Sequence, residues 1–566
     1  MEEIFGPIIE TQRPPRYRTH LYWTRKPPDL AVKFIMTLTS PGEIVLDPFC
    51  GSGVVPIEAA RFGRIGIGFD IDPVGLFIAR MTSTRTNLPR IKRVFESFLR
   101  GIGSQVQQLY KTSCSVCFSK KAITRVAVWL HEAHLPKEIR GKCPECGAFS
   151  KQPDKQDQAL LIRINKQTHS PFIPRNQLRY ENGNLFLKGE RHISIADLYT
   201  PRNLLALGII REQISKIRKN KDRDILTFAF SSIVHLASKL TPDRKSRPFS
   251  SHWGRMSYWI PPRSQERNVL ELFQNALLGR QGVFKGLKDS RQSLKNTKIV
   301  SSFDKAEQGS ILLKQASVLH LSRDLPPSRV DLVFTDPPYG GAVQHHELNS
   351  LWAAWLGLER DPEEEITINP RQEKTHETFG RMIRAAFREI AKILKPGKNM
   401  ILTFHSTDLR VWKLLVQGAI AAGFDLEQLF HQPSRRISFK ALAQPLNAAI
   451  GDYVFLFRHS EQEKEMIPAR AKPAPSFSEI VREAAIRVIA GLERPCTFTE
   501  LLTRIYPEIT KSEEFFSDNV GNLHSLLKIW LGKGLWLVRA RDPIGRKEAS
   551  LWWVEEEYEE KNKSVK

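Results

Sequence analysis

The chain has 566 residues, and 85 Lys and Arg stand against 61 Asp and Glu, a formal charge of +24 that asks for an anionic partner. With 41% apolar residues it can pack several cores, which excludes wholesale disorder, and six cysteines are too sparse for a secreted disulfide scaffold. The N-terminal MEEIFGPIIE has no apolar signal core, and the longest uncharged apolar stretch, Ile225 to Ser238, is shorter than the roughly 18 residues that span a bilayer, so a soluble, cytoplasmic protein without membrane contact is expected.

Proline, glycine and charge divide the chain into segments 1–82, 83–150, 151–297, 298–460, 461–476 and 477–566. In the first, Ile44-Val45-Leu46 reads as a short strand running into Asp47-Pro48-Phe49-Cys50-Gly51-Ser52-Gly53 and then a helix over Val54 to Arg61. Glycines at 51 and 53 allow a tight turn and let a ligand approach the unpaired N–H groups of the helix start. A second strand, Arg64 to Phe69, ends at Asp70, where a carboxylate can accept from both ribose hydroxyls of a nucleoside-containing cofactor. The spacing departs from the G-x-G-x-x-G fingerprint and argues against NAD; any doubly wound sheet has such turns, so the turn alone leaves the ligand open.

In 83–150, Cys114-x2-Cys117 and Cys143-x2-Cys146 can close four thiolates around Zn²⁺. Four thiolates leave no open coordination position, so the expected metal is structural; His131 and His134 read as surface residues. Segment 151–297 is mainly helical and basic, with apolar periodicity over Arg202 to Lys219 and Asp224 to Leu240. Lys239, Arg244, Lys245, Arg247, Arg255, Arg263 and Arg267 alternate with Phe249, Trp253, Tyr258 and Trp259, which suits phosphate neutralisation and base stacking; the plainer alternative is core aromatics beside solvated charges. Arg211 to Arg223 has the spacing of an ordinary solvated helix face.

Strands and helices alternate again in 298–460. A helix over Glu377 to Leu394 is stopped by Lys395-Pro396-Gly397, Met400 to Phe404 is a strand, and Gly451 to Phe457 the last one. The buried strand Val330 to Thr335 delivers Asp336-Pro337-Pro338-Tyr339 to a carboxyl edge, where ligands bind in open α/β sheets. An exocyclic amine of adenine or cytosine is a poor nucleophile because its lone pair is delocalised into the ring. The Asp336 carboxylate and the Pro337 carbonyl can each accept one amine hydrogen and localise that pair, Pro337 and Pro338 stiffen the loop, and Tyr339 offers a ring face to an extruded base.

With the leader His20-Leu21-Tyr22-Trp23-Thr24-Arg25-Lys26-Pro27, the turn, Asp70, the tetrad and the following Gln344-His345-His346-Glu347-Leu348, the chain resembles S-adenosylmethionine-dependent DNA amino-methyltransferases of the subgroup with a zinc-ribbon insertion, over most of 16–458. The resemblance implies an α/β fold: a Rossmann-like, seven-stranded class I methyltransferase sheet, halves 1–82 and 298–460, interrupted by the zinc ribbon and the helical insertion. It implies that Asp47, Phe49, Gly51, Ser52, Gly53 and Asp70 line the donor pocket, with Lys26 near the donor's amino-acid end. Where relatives often carry an acid against the donor's adenine, this chain reads Gln315-Ala316-Ser317, and Ser317 is the substitute contact. Double-stranded DNA is the implied partner, read by the insertion, and a restriction-modification or defence-system partner fits the same picture.

After the linker 461–476, helices over Phe477 to Ile489, Thr499 to Tyr506 and Asn519 to Leu531 and a hairpin around Asp542 to Lys547 suggest a winged-helix-like domain that contacts DNA. Pro495-Cys496 imitates the nucleophile of carbon-5 cytosine methylation, but it lies at a helix start in this tail, and the tetrad has no role in a covalent mechanism. The expected reaction is methylation of adenine N6 in DNA; cytosine N4, a guanine amine in RNA and a non-catalytic DNA-binding scaffold are the alternatives.

Overall fold

The fold is built on strands β1 (Ile44–Asp47), β2 (Ile65–Asp70), β3 (Lys111–Thr112), β4 (Ala122–Leu130), β5 (Glu138–Cys143), β6 (Gly147–Lys151), β7 (Arg263–Arg267), β8 (Lys298–Val300), β9 (Ser310–Gln315), β10 (Val330–Thr335), β11 (Leu394–Phe404), β12 (Phe424–Gln432), β13 (Asp452–His459), β14 (Trp536–Arg541) and β15 (Glu548–Trp553). The structure, a computed structural model, describes residues 8, 11–130, 133, 135–167, 172–187, 194–243, 253, 257–406, 408–432, 451–460, 476–510, 515, 523–541 and 548–554. Of the sequence expectations, His131, His134, Arg244, Lys245, Arg247, Phe249, Arg255, linker residues 461–475, residues 519–522 and the hairpin tip 542–547 lie outside these.

The main sheet has eight strands in the order β12-β13-β11-β10-β1-β2-β9-β8, one more than the seven expected. The extra strand is β8, which pairs in parallel with β9 at the edge. From β8 to β11 neighbours are parallel, and β13 inserts antiparallel between β11 and β12. Helices Pro28–Leu38 and Val54–Arg61 cover one face through Leu30, Phe34, Val55 and Ile57. Helices His376–Ile393 and Leu409–Ala421 cover the other through Phe379, Ile383, Phe387, Trp412 and Leu415. The helix His376–Ile393 ends just before Lys395-Pro396-Gly397, as the sequence implies, and the tripeptide itself lies inside β11, in an irregularity of the pairing with β10 where Gly397 takes φ +73°.

Between β2 and β8 the chain leaves the sheet. β3, β4, β5 and β6 form a small antiparallel sheet, and β7, from the helical part of the insertion, pairs with β4. The predicted helices are Pro201–Ser215 and Asn220–Val234; the first starts where Thr200 caps the backbone N–H of Asn203. A buried Arg202–Glu266 ion pair at 2.5 Å ties that helix to β7. These helices and His345–Leu356 share one apolar core around Trp352 and Trp355.

The tail has helices Phe477–Leu492, Phe498–Ile509 and Leu523–Lys528, followed by the antiparallel pair β14–β15. It packs against the main sheet: the Tyr506 ring stacks on Trp412 at 4.4 Å, and Tyr453 Oη donates to the Leu502 carbonyl at 3.2 Å. No helix among the described residues is long and apolar enough to cross a membrane.

Candidate active site

The carboxyl ends of β1, β2, β9 and β10 meet along one edge, and a cavity of about 1290 Å³, counted to its open mouth, lies over them. β1 hands the chain to the glycine turn. Gly51 (φ +48°) and Gly53 (φ +74°) both hold left-handed backbone, and a Cβ on Gly51 would stand 2.6 Å from the Tyr22 hydroxyl. Asp70 Oδ2 holds this turn by accepting from the Gly51 N–H at 2.7 Å, while Oδ1 accepts from the Asp72 N–H at 2.8 Å in the loop that follows β2. Asp47, Phe49, Gly51, Ser52, Asp70 and Ser317 all line the cavity. Gly53, expected beside them, does not; it faces the helix Pro73–Thr82, where an added Cβ would meet that of Ala79 at 2.6 Å.

Asp47 accepts from the Phe49 N–H (3.1 Å) and the Thr335 hydroxyl (2.8 Å). Burial, only partly offset by these bonds, pushes its carboxyl up to about 8, and burial likewise pushes Asp70 up to about 7. The folded state therefore holds the Asp47 proton more tightly than the unfolded chain, and stability falls as pH rises from the ordinary value of 3.8 through about 8. Asp47→Asn keeps an accepting oxygen without the charge. It is expected to raise stability by on the order of 1–3 kcal/mol near pH 9, fading to nothing near pH 4, in urea melts at the two pH values.

The tetrad follows β10, and Asp336, Pro337, Pro338 and Tyr339 line the same cavity. Asp336 Oδ1 accepts from the Thr403 hydroxyl on β11 at 2.9 Å, and the Tyr339 hydroxyl lies 2.6 and 2.7 Å from the two carboxylate oxygens. Tyr339 is buried, its ring edge-on to Phe404 at 5.5 Å and with Lys26 Nζ over its face, 5.2 Å from the centroid. Lys26, expected at the donor's amino-acid end, reaches the tetrad: its Nζ lies 2.6 Å from Tyr339 Oη, 3.0 Å from Asp336 and 2.7 Å from Asp452. Burial pushes Asp336 up to about 6 even with the Lys26 charge beside it, whereas Lys26 and His405 hold Asp452 far below the usual carboxylate range.

Sequence reasoning missed several of these groups. Asp452 on β13, Thr403 on β11 and His405 just after β11 carry no motif, and only the sheet order brings β11 beside β10 and β13 next to β11. Arg25 belongs to the leader string, whose pattern assigns it no role. Its Nε donates to the Ser52 hydroxyl at 2.9 Å, and its second terminal nitrogen, Nη2, is buried without a hydrogen-bond partner beside the cavity. His345 stacks near Tyr22 with centroids 6.1 Å apart, and Asn349, one turn on, donates to Asp72 at 2.7 Å.

Away from this cavity, the four cysteines converge. The Sγ atoms of Cys114, Cys117, Cys143 and Cys146 all lie within 4.8 Å of one another, around the about 3.8 Å edge of a zinc–thiolate tetrahedron. The N–H groups of Val116 and Glu145 donate to Cys114 and Cys143 at 3.4 Å, the bonding a thiolate knuckle requires. The donor set therefore suits a closed, structural metal site.

The proposed stacking surface of the basic segment is corrected at two positions. Trp253 packs against Trp23, Trp352 and Tyr258, and Tyr258 is buried with its hydroxyl accepting from the Leu351 N–H, so both serve the core. Arg263 pairs with Asp243 at 2.7 Å. Cys496 is buried, bonded through its backbone to Trp552, and its thiol is pushed up to about 12, which agrees with rejecting it as a nucleophile.

Residues 4–79 match the N6/N4 DNA methylase family model. The chain is 44% identical over 57 residues to the Type II methyltransferase M2.DpnII of Streptococcus pneumoniae, covering 10% of this chain and 21% of that protein. It is 29% identical over 80 residues to the Type II methyltransferase M.MjaII of Methanocaldococcus jannaschii, covering 14% and 15%. The chain thus spans about a fifth or less of the length of either relative. The rRNA methyltransferase aviRa from Streptomyces viridochromogenes aligns over 78% of this chain and 89% of its own at 12% identity and a TM-score of 0.25. The similarity to the N6/N4 DNA methylases thus lies in residues 4–79, the segment that builds the glycine turn and Asp70.

Proposed function

We propose that the protein transfers a methyl group from S-adenosylmethionine to the exocyclic N6 of adenine in double-stranded DNA. One observation carries this: the Asp336 carboxylate opens on the same cavity as the Asp47–Ser52 turn and Asp70, so an amine and a nucleoside-bearing donor can meet there. The donor, when bound, supplies an electrophilic methyl group. Asp70 and the turn would hold its nucleoside, and Arg25, whose Nη2 has no hydrogen-bond partner beside the cavity, would be available to its carboxylate. Asp336 and the Pro337 carbonyl accept the two amine hydrogens, which frees the lone pair for in-line attack. As the N–CH₃ bond forms, the sulfonium S–CH₃ bond breaks and its electron pair stays on sulfur, leaving a neutral thioether, while one N–H proton leaves to the Asp336 carboxylate, whose raised pKa of about 6 suits that acceptance near neutral pH. The amine must displace the Tyr339 hydroxyl from Asp336, and a released Tyr339 can turn its ring to the base.

In the same reading the four cysteines hold one structural Zn²⁺, the insertion 83–297 reads DNA, and the tail is winged-helix-like. The test is transfer of labelled methyl from S-adenosylmethionine to duplex DNA and to total RNA in parallel, followed by nucleoside identification. N6-methyladenine in DNA is expected. N4-methylcytosine would correct the base, and label in RNA alone would overturn the DNA assignment.

A further inference from the structure

The two cysteine knuckles are built alike, yet they differ at one position. In each, the residue directly after the second cysteine takes left-handed backbone: Gly147 after Cys146, at φ +92°, and Phe118 after Cys117, at φ +59°. Glycine adopts this conformation freely, and nothing lies within 4 Å of where a Cβ on Gly147 would stand, so backbone conformation is what glycine supplies there. An aromatic residue at the matching position is strained, and it gains no burial in return. Phe118 is 79% exposed, and Val116 beside it 64%, the two most exposed large apolar side chains among the described residues. A strained, unburied phenylalanine where glycine serves the fold has its reason outside the fold.

The surroundings select the partner. Lys111, Lys120, Lys121 and Lys142 are exposed around the knuckles, and Glu145 is the one acid within 111–147 apart from Glu132, which lies outside the described residues, and Glu138, which is engaged by Arg140 at 2.9 Å. An exposed apolar ring on a segment whose exposed charges are mainly lysines matches nucleic acid, whose base steps admit an aromatic wedge while flanking phosphates take the lysines. We propose that the Val116–Phe118 tip of the ribbon is a DNA contact, in which Phe118 wedges against a base step and Lys120 and Lys121 neutralise adjacent phosphates. This rests on the DNA reading above and names the element of the insertion that touches the duplex.

Phe118→Gly separates the two roles, because it relieves the backbone while removing the ring. In the full-length, metal-loaded protein it is expected to keep the wild-type metal content and to melt no lower than wild type. Its affinity for a fluorescent duplex should fall about tenfold, as for loss of one base-stacking side chain. Lys120→Gln with Lys121→Gln should weaken binding across all sequences and reduce the slope of log affinity against log salt by about 2. Phe118→Gly binding the duplex as tightly as wild type would overturn the tip proposal, and so would an unchanged salt slope in the lysine variant. If the wild-type protein binds no duplex at all, the DNA reading itself fails.

Discussion

Asp336→Asn is expected to lower the methyl-transfer rate by about 10²- to 10³-fold while leaving affinity for S-adenosylmethionine near wild type. Asparagine keeps an oxygen for the Thr403 hydroxyl but replaces the other with an amide that cannot accept an amine hydrogen or a proton. Donor affinity should survive because the Asp47–Ser52 turn, Asp70 and Arg25 are held by their own bonds to Thr335, Gly51, Asp72 and Ser52. The charge balance also shifts: Lys26 keeps Asp452 at 2.7 Å, so the ammonium stays paired and the site need not collapse. Calorimetric titration of the donor beside single-turnover methylation gives both readouts. Full activity in the variant would remove the amine-activating role from the tetrad.

Metal removal should have the largest structural effect. The core of the ribbon is small: Ala122 and Phe149 cluster with the candidate ligands Cys114 and Cys143, and Ala127, Trp129, Ile139 and Leu161 form another cluster. So little apolar surface holds strands β3 to β6 together only weakly, and a structural zinc bound there would supply of order 10 kcal/mol of folding energy. Stripping the metal with a chelator, or Cys143→Ser, is expected to expose 111–151 to proteolysis and to release one zinc per chain. Methyl-donor binding should persist, because the glycine turn belongs to a different core. Equal protease resistance with and without chelator would show that the four thiols hold the ribbon unaided or bind nothing.

Lys26 shows how far the local pattern reached. The leader string marked it as a site residue, and it does line the cavity, but nothing in its neighbourhood could say that it would stand between Asp336 and Asp452. Trp253 and Tyr258 show the opposite: their alternation with basic residues looked like a stacking surface, whereas both rings fill the core beneath Trp352. An aromatic side chain is equally suited to a core and to a base, and only the packing around it decides.

What the amino-acid order determined by itself is the chemistry that depends on neighbours in the chain. Such are the Asp47–Gly53 turn, whose glycines must take left-handed backbone, the Asp336–Tyr339 loop stiffened by two prolines, and the pairs of cysteines two residues apart. The tertiary structure alone decided which distant groups share a site. Parallel strands need long crossovers, so β1, β10, β11 and β13 come from separate parts of the chain, and the sheet order, set by burial of their apolar faces, is what brings Asp47, Asp336, Thr403 and Asp452 to one edge. The same burial joins β7 to β4 and seats Tyr506 on Trp412, contacts between segments that carry no mark of one another in sequence.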